Sequence, residues 1–257
     1  MSFKVSDRHL EEFFSLGYTV FRGLLPPSLI TDLRRECERG RELVQARHHG
    51  QVQRFQPVSA FDIDHRPFQD YAQLPELRMA IDKVLSPRHS WGNLDWLGVL
   101  IEPQEASWCT QWHRDARELV SDQEWSERLR DFSLGGQVNC PLYDDPSTWF
   151  VPGSHLRGDT DGERAMSAVP NPPPQGANEA PDTARERACM DYCRAMPNAV
   201  CLNLAAGDYA LYRPFGWHLG NYTPYRKRAA LHDGVNEPEA LEQWMNWLKT
   251  ARASRRS

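Results

Sequence analysis

His113, Arg114 and Asp115 stand side by side, and a further histidine, His218, follows far downstream. Two imidazoles and one carboxylate can hold a ferrous ion from one side and leave the opposite side open for oxygen chemistry. Residues i and i+2 of a β-strand point the same way, so an extended backbone aims His113 and Asp115 at one ion and turns Arg114 aside. The third ligand then has to arrive from another strand. The spacing alone is a weak signal in a chain with nine histidines, and a His–Asp pair in a surface loop is the competing reading.

The elements that must position these groups can be sketched from the sequence. Residues 6–16 carry a Ser/Asp start and apolar residues at helical spacing, and Gly17 stops the helix. Tyr18–Phe21 reads as a short strand, and Pro26-Pro27-Ser28 opens a second helix to about Val44. Residues 1–90 are expected to form a mostly helical buttress, with 47–70 polar and irregular. Strands are expected at Leu94–Glu102, Trp108–Ala116, Ser133–Tyr143, Thr148–Val151, Val200–Leu204, Asp208–Tyr212 and Arg228–Asp233. A turn is expected over Asp144–Ser147, a surface excursion over 157–181, a helix near 182–195 and a C-terminal helix from Pro238 to Lys249. Many strands with turns between them predict a mainly β fold with flanking helices, a sandwich or closed jelly-roll barrel, with 91–235 supplying the barrel strands. No linker divides the 257 residues, so one domain is expected.

Composition excludes several classes. Hydrophobic residues make up 40% and charged residues 25%, values of an ordinary globular chain. A formal net charge of −5 gives nothing for nucleic acid or an anionic membrane to bind, and no stretch approaches a membrane span. Six scattered cysteines include one close pair, Cys189 and Cys193, which reads as two packed thiols. A reducing compartment, the cytoplasm, is expected. No G-x-S-x-G, P-loop or Rossmann fingerprint is present. Oligomeric state is not legible.

Four blocks in order resemble the phytanoyl-CoA dioxygenase-like group of Fe(II)- and 2-oxoglutarate-dependent oxygenases. The opening EEFFSLGYTVFRGLLPPSLITDLRRE is similar to that group's helix–strand–helix start. Gln111-Trp112-His113-Arg114-Asp115-Ala116 matches its W-H-x-D-A motif, and Val151–His155 its V-P-G-S-H turn. Ala206-Gly207-Asp208, His218, Asn221 and Arg228-Ala229 match its closing block. The sequence departs from the pattern at Ser147–Phe150, where the group has a glycine, and in a short segment after His218. The resemblance implies a double-stranded β-helix of cupin type. It implies Fe(II) on His113, Asp115 and His218, with 2-oxoglutarate and O2 as cosubstrates. The far carboxylate of 2-oxoglutarate would be anchored by an arginine, Arg228 or, at the same strand parity, Arg226. The activity implied is oxidation of a small molecule, such as a natural-product intermediate, by hydroxylation or a related outcome. Asp115 occupies the position that halogenating relatives leave without a carboxylate.

Other residues carry open alternatives. Gln137 and Asn139, two apart on an expected strand, can point inward to hydrogen-bond cosubstrate or substrate. Asn221 braces the loop after His218 or touches the cosubstrate. Trp112, Phe215 and Trp217 pack around a dry site, or one of them stacks on a planar substrate. His155 is structural in its turn or touches substrate. Pocket walls are expected from 47–70 and 157–181. A metal-dependent hydrolase or isomerase on the same kind of barrel, or a ligand-binding barrel without catalysis, are the rivals; the arginine after His218 separates the hydrolase from the oxygenase, and the binding barrel would form no succinate.

Overall fold

The structure is a computed structural model that describes residues 3–48, 52–172 and 182–254. Its elements are α1 (Asp7–Leu16), β1 (Tyr18–Phe21), α2 (Pro27–His48), β2 (Arg54–Phe55), α3 (Arg66–Ala72), α4 (Pro75–Val84), β3 (Gly98–Ile101) and β4 (Trp108–Cys109), followed by α5 (Asp122–Arg130), β5 (Leu134–Pro141), β6 (Asp145–Phe150), α6 (Asp161–Ser167), α7 (Asp182–Ala195), β7 (Val200–Leu204), β8 (Tyr209–Tyr212), β9 (His218–Tyr222), β10 (Ala229–Asn236) and α8 (Pro238–Ser254).

Local chemistry explains the boundaries. Gly17 ends α1 at φ +88°, with its N–H on the carbonyl of Phe13. A Cβ there would stand 2.4 Å from Nδ1 of His155, so both backbone and space require glycine. Ser121 caps α5, accepting from the Glu124 N–H while Glu124 reaches back to the Ser121 N–H.

Two antiparallel sheets form the centre, six strands in the order β1-β8-β5-β10-β3-β2 and four in the order β4-β9-β6-β7. The outer face of the larger sheet packs on the first four helices. Val138, Cys140, Leu211 and Leu231 meet Leu33, Phe68, Leu77 and Ile81 in one buried core. Each such apolar side chain stabilises the fold by roughly 1.5–3 kcal/mol. The outer face of the smaller sheet, with Trp149 and Leu219, packs on Cys189, Tyr192 and Cys193 of α7. The inner faces meet each other, as the cluster of Phe150, Leu202, Ala210 and Tyr212 shows. On β5 the alternation sends Val138 and Cys140 outward to the helical core, and Gln137 and Asn139 inward.

Several expectations change. Helices carry more residues than strands, so the chain is mixed α/β and not mainly β. The first 90 residues lend two strands, β1 and β2, to the larger sheet. The segment 47–70 holds β2, a 3-10 turn at Val58–Ala60 and α3. The strand expected over Trp108–Ala116 stops at Cys109. Asp145 already belongs to β6, because its side chain takes the Ser147 N–H and lets the strand begin inside the expected turn. The strand β9 was not expected. The 157–181 excursion contains α6, whose Glu163 is fully buried against Arg157, so it is not a surface loop throughout; residues 173–181 lie outside the described residues. The C-terminal helix runs on to Ser254. No helix among the described residues is long and apolar enough to cross a membrane.

Candidate metal centre

β9 brings the distal histidine to the H-x-D motif. His113 and His218 form an isolated antiparallel bridge, exchanging N–H···O bonds of 3.2 and 3.0 Å. Residues paired in this way project to one face, which puts the imidazoles side by side with ring centroids 4.3 Å apart. The chain then turns: the Asp115 N–H donates to the Pro214 carbonyl (2.9 Å), and Ala116 takes the left-handed conformation at φ +57°. This turn, and not strand alternation, aims the Asp115 carboxylate at the histidines. A left-handed alanine costs on the order of 1 kcal/mol and persists only where the surroundings hold it.

Oδ1 of Asp115 lies 3.6 Å from Nε2 of His113 and 3.7 Å from Nε2 of His218. Among the described residues, these three are the one group of three or more metal-binding side chains whose donor atoms all lie within 4.8 Å of one another. Each ring has its other nitrogen occupied: Nδ1 of His113 faces the Gln111 carbonyl (2.8 Å), and Nδ1 of His218 the Gly216 carbonyl (2.9 Å). A carbonyl only accepts, so Nδ1 carries the proton and Nε2 keeps its lone pair for the centre. Burial, and then the neighbouring His113, push His218 well below the usual imidazole range, which keeps it neutral. Burial raises Asp115, while His113 and Gln137 pull the other way. Two Nε2 atoms and one carboxylate oxygen on a single face are the donor set that a six-coordinate divalent ion such as Fe(II) accepts while keeping open positions.

The surrounding side chains fix these groups. Gln137 donates to Oδ2 of Asp115 and accepts from the Tyr212 hydroxyl at 3.1 Å. Tyr212 rises above the usual phenol range through burial and then the Asp115 charge, with Arg228 opposing, so it lies within electrostatic reach of both. Asn139 donates to Thr148 (2.7 Å), and its carbonyl oxygen faces Nδ1 of His232 (3.1 Å).

Arg114, turned aside from the ligands, is buried. It is 2% exposed, and its Nη1 donates to the carbonyls of Ser154, Arg157 and Phe215 at 3.0–3.3 Å. Nη2 pairs with Asp159 at 2.7 Å. It therefore ties the His113–Asp115 segment to the 151–157 turn and to the approach to His218. Burial lowers it to about 10.

Arg228 and Arg226 separate clearly. Arg226 is exposed, whereas Arg228 is 5% exposed with Nε on Oδ2 of Asp145 at 2.8 Å. Burial disfavours its charge, but Asp145 and the Tyr222 hydroxyl more than offset this. Among the described residues its two Nη groups have no hydrogen-bond partner. Its Cζ sits 4.9 Å over the Tyr222 ring.

A cavity of about 590 Å³ opens on the centre, with Asp115 and Gln137 in its wall beside Phe215, Arg54 and His232. Trp91 and Trp96 line another part, and Leu241, Trp244 and Met245 of α8 a third. Of the expected pocket walls, 47–70 contributes Arg54 and Gln56, whereas the described part of 157–181 contributes nothing. The amphipathic spacing of 241, 245 and 249 was the available signal for α8. A second cavity, of about 350 Å³, is lined by Asn221, Arg226, Arg228 and Asp145. The structure brings neither Trp112, Trp217 nor His155 to the first cavity. Trp112 and Trp217 are buried in the core under α7, with the indole Nε1–H of Trp217 donating to Asp159 (3.0 Å). His155 is fully buried, with Nε2 on the Phe14 carbonyl (3.2 Å). All six cysteines are free thiols.

No protein-family model matches the sequence, and no curated protein matches it. Solved structures share its fold. AviO1 from Streptomyces viridochromogenes Tue57 superposes at a TM-score of 0.57 and 15% identity, over 91% of this chain and 97% of that one. HygX from Streptomyces hygroscopicus, with nickel and 2-oxoglutarate bound, gives 0.56 and 15% over 91% and 88%. The epimerase SnoN, in complex with Fe3+, alpha ketoglutarate and nogalamycin RO, gives 0.54 and 18% over 89% and 82%.

Proposed function

We propose that this chain is a non-haem Fe(II)- and 2-oxoglutarate-dependent oxygenase of the phytanoyl-CoA dioxygenase-like group. On this reading its two sheets form a double-stranded β-helix within one domain, and it hydroxylates or otherwise oxidises a small metabolite such as a natural-product intermediate. The observation that carries the reading is the convergence of Asp115 Oδ1 with the two Nε2 atoms at 3.6 and 3.7 Å. The likeness to enzymes solved with iron or nickel and the keto acid supports it. When bound, the ferrous ion and 2-oxoglutarate supply the oxidising chemistry: the keto acid loses CO2 to give succinate as dioxygen is consumed.

The protein's own part is positioning and exclusion of water. His113 and His218 turn their Nε2 atoms to the centre because their Nδ1 atoms are bonded to backbone carbonyls. Gln137, held by Tyr212, keeps Asp115 turned to the centre. Arg228 offers its free Nη groups to the far carboxylate of the keto acid, a buried charge that needs a paired cation; Arg226, exposed, is the lesser candidate. Asn139 and Asn221 complete the polar lining near the cosubstrate, and Phe215 stands on the substrate side. Trp112, Trp217 and His155 act by packing. Free thiols throughout fit a cytoplasmic setting.

A hydrolase built on the same ligands has no use for the buried Arg228. The test is uncoupled turnover: Fe(II)-loaded protein should convert 2-oxoglutarate to succinate only in the presence of oxygen. Metal-dependent hydrolysis with zinc and no oxygen requirement would favour the rival.

A further inference from the structure

The cavity that opens on Asp115 also says what kind of molecule it receives. We propose that the substrate presents a flat aromatic ring system, held against Trp96; this rests on the oxygenase reading above. Trp96 is 46% exposed and lines the cavity. Among the described residues it makes no ring–ring or cation–π contact, unlike Trp244, which stacks on Trp247 at 4.9 Å. A large indole left open in a concave site is a face without a partner.

The neighbouring Trp91 already has its face covered, with the Arg78 guanidinium 4.1 Å from its ring centroid, which leaves Trp96 as the open indole of the pair. From α8, Leu241 and Met245 contribute an apolar wall, and a thioether packs well on an aromatic ring. The charged lining is mixed in sign, with Arg54 and Lys249 facing Asp115, Asp233 and Glu242. About 590 Å³ accommodates a molecule of several fused rings.

The test compares 2-naphthol with its saturated counterpart decahydro-2-naphthol. Each is titrated calorimetrically into anaerobic protein loaded with Fe(II) and 2-oxoglutarate, for wild type, Trp96→Phe and Trp96→Ala. Wild type should favour the aromatic probe, Trp96→Phe should retain it within about threefold, and Trp96→Ala should lose about tenfold. Equal affinity for the saturated probe, no loss in Trp96→Ala, or no binding of 2-naphthol would each overturn the assignment. The visible band of the iron–keto acid complex is recorded on the same samples. A missing band indicts the oxygenase reading, whereas an intact band with indifference to Trp96 indicts the substrate class alone.

Discussion

Replacing Arg228 by Met should separate its structural role from its binding role. The side chains of Arg228 and Asp145 are 6% and 2% exposed, with Nε and Oδ2 2.8 Å apart. Removing one partner of a buried pair leaves the other charge uncompensated, at a cost of roughly 3–5 kcal/mol. Arg228→Met should therefore lose that much stability in urea denaturation. Arg228→Met combined with Asp145→Leu should recover most of it, because an apolar pair of similar volume carries no buried charge. The recovered double variant should still bind 2-oxoglutarate poorly, since the carboxylate has lost its cation. Losses of roughly 2–5 kcal/mol, on the order of 30- to several-thousand-fold in Kd, are expected by anaerobic titration. Arg226→Ala, at an exposed position, should stay within about 0.5 kcal/mol of wild type in stability. If Arg228→Met is no less stable than Arg226→Ala, the ion-pair reasoning is wrong. If the double variant binds the keto acid as tightly as wild type, the anchor lies elsewhere.

Gln137→Leu removes the donor that holds Oδ2 of Asp115 and should weaken iron binding by about 10- to 100-fold, measured by competition with a chelator; unchanged affinity would remove Gln137 from the support of the centre. Arg114→Met should likewise lower iron affinity, because the guanidinium ties both ligand segments together; Arg114→Lys, unable to span three carbonyls, should rescue little, and full rescue would show that charge alone suffices. Burial lowers His155 to about 4, so the folded protein keeps it neutral while the unfolded chain protonates it near 6.5. Stability should fall as pH drops from about 6.5 towards 4, by up to about 3 kcal/mol from this residue. Thermal melts of wild type and His155→Gln across that range check it, and an equally steep acid limb in the variant would contradict it.

The ligand types were legible in the sequence because so few side chains can hold a ferrous ion, and His113, Asp115 and His218 do converge. The backbone that brings them together was not. The motif was expected on a strand, whose alternation would have aligned His113 and Asp115; instead an isolated bridge to His218 and a left-handed Ala116 do so. β9 gives little strand signal because His218–Tyr222 is short and contains Gly220 and Asn221, residues that disfavour strands. The inward direction of Gln137 and Asn139 followed from their two-residue spacing, whereas their partners Tyr212, Thr148 and His232 come from distant strands that no local pattern names. Proximity in sequence puts Trp112 and Trp217 beside the ligands, yet both point under α7 while Trp91, Trp96 and α8 supply the cavity wall. Hydrophobic type shows that a side chain wants burial but not which of two cores takes it.

Three remote side chains holding one ferrous ion beside a chelating keto acid can be observed by anaerobic titration with Fe(II) in the presence of 2-oxoglutarate. A weak visible charge-transfer band should appear that saturates at one iron per chain, is silent with zinc, and is lost in His113→Ala, Asp115→Ala and His218→Ala. A band that survives in these variants, or never forms in the wild type, would contradict it.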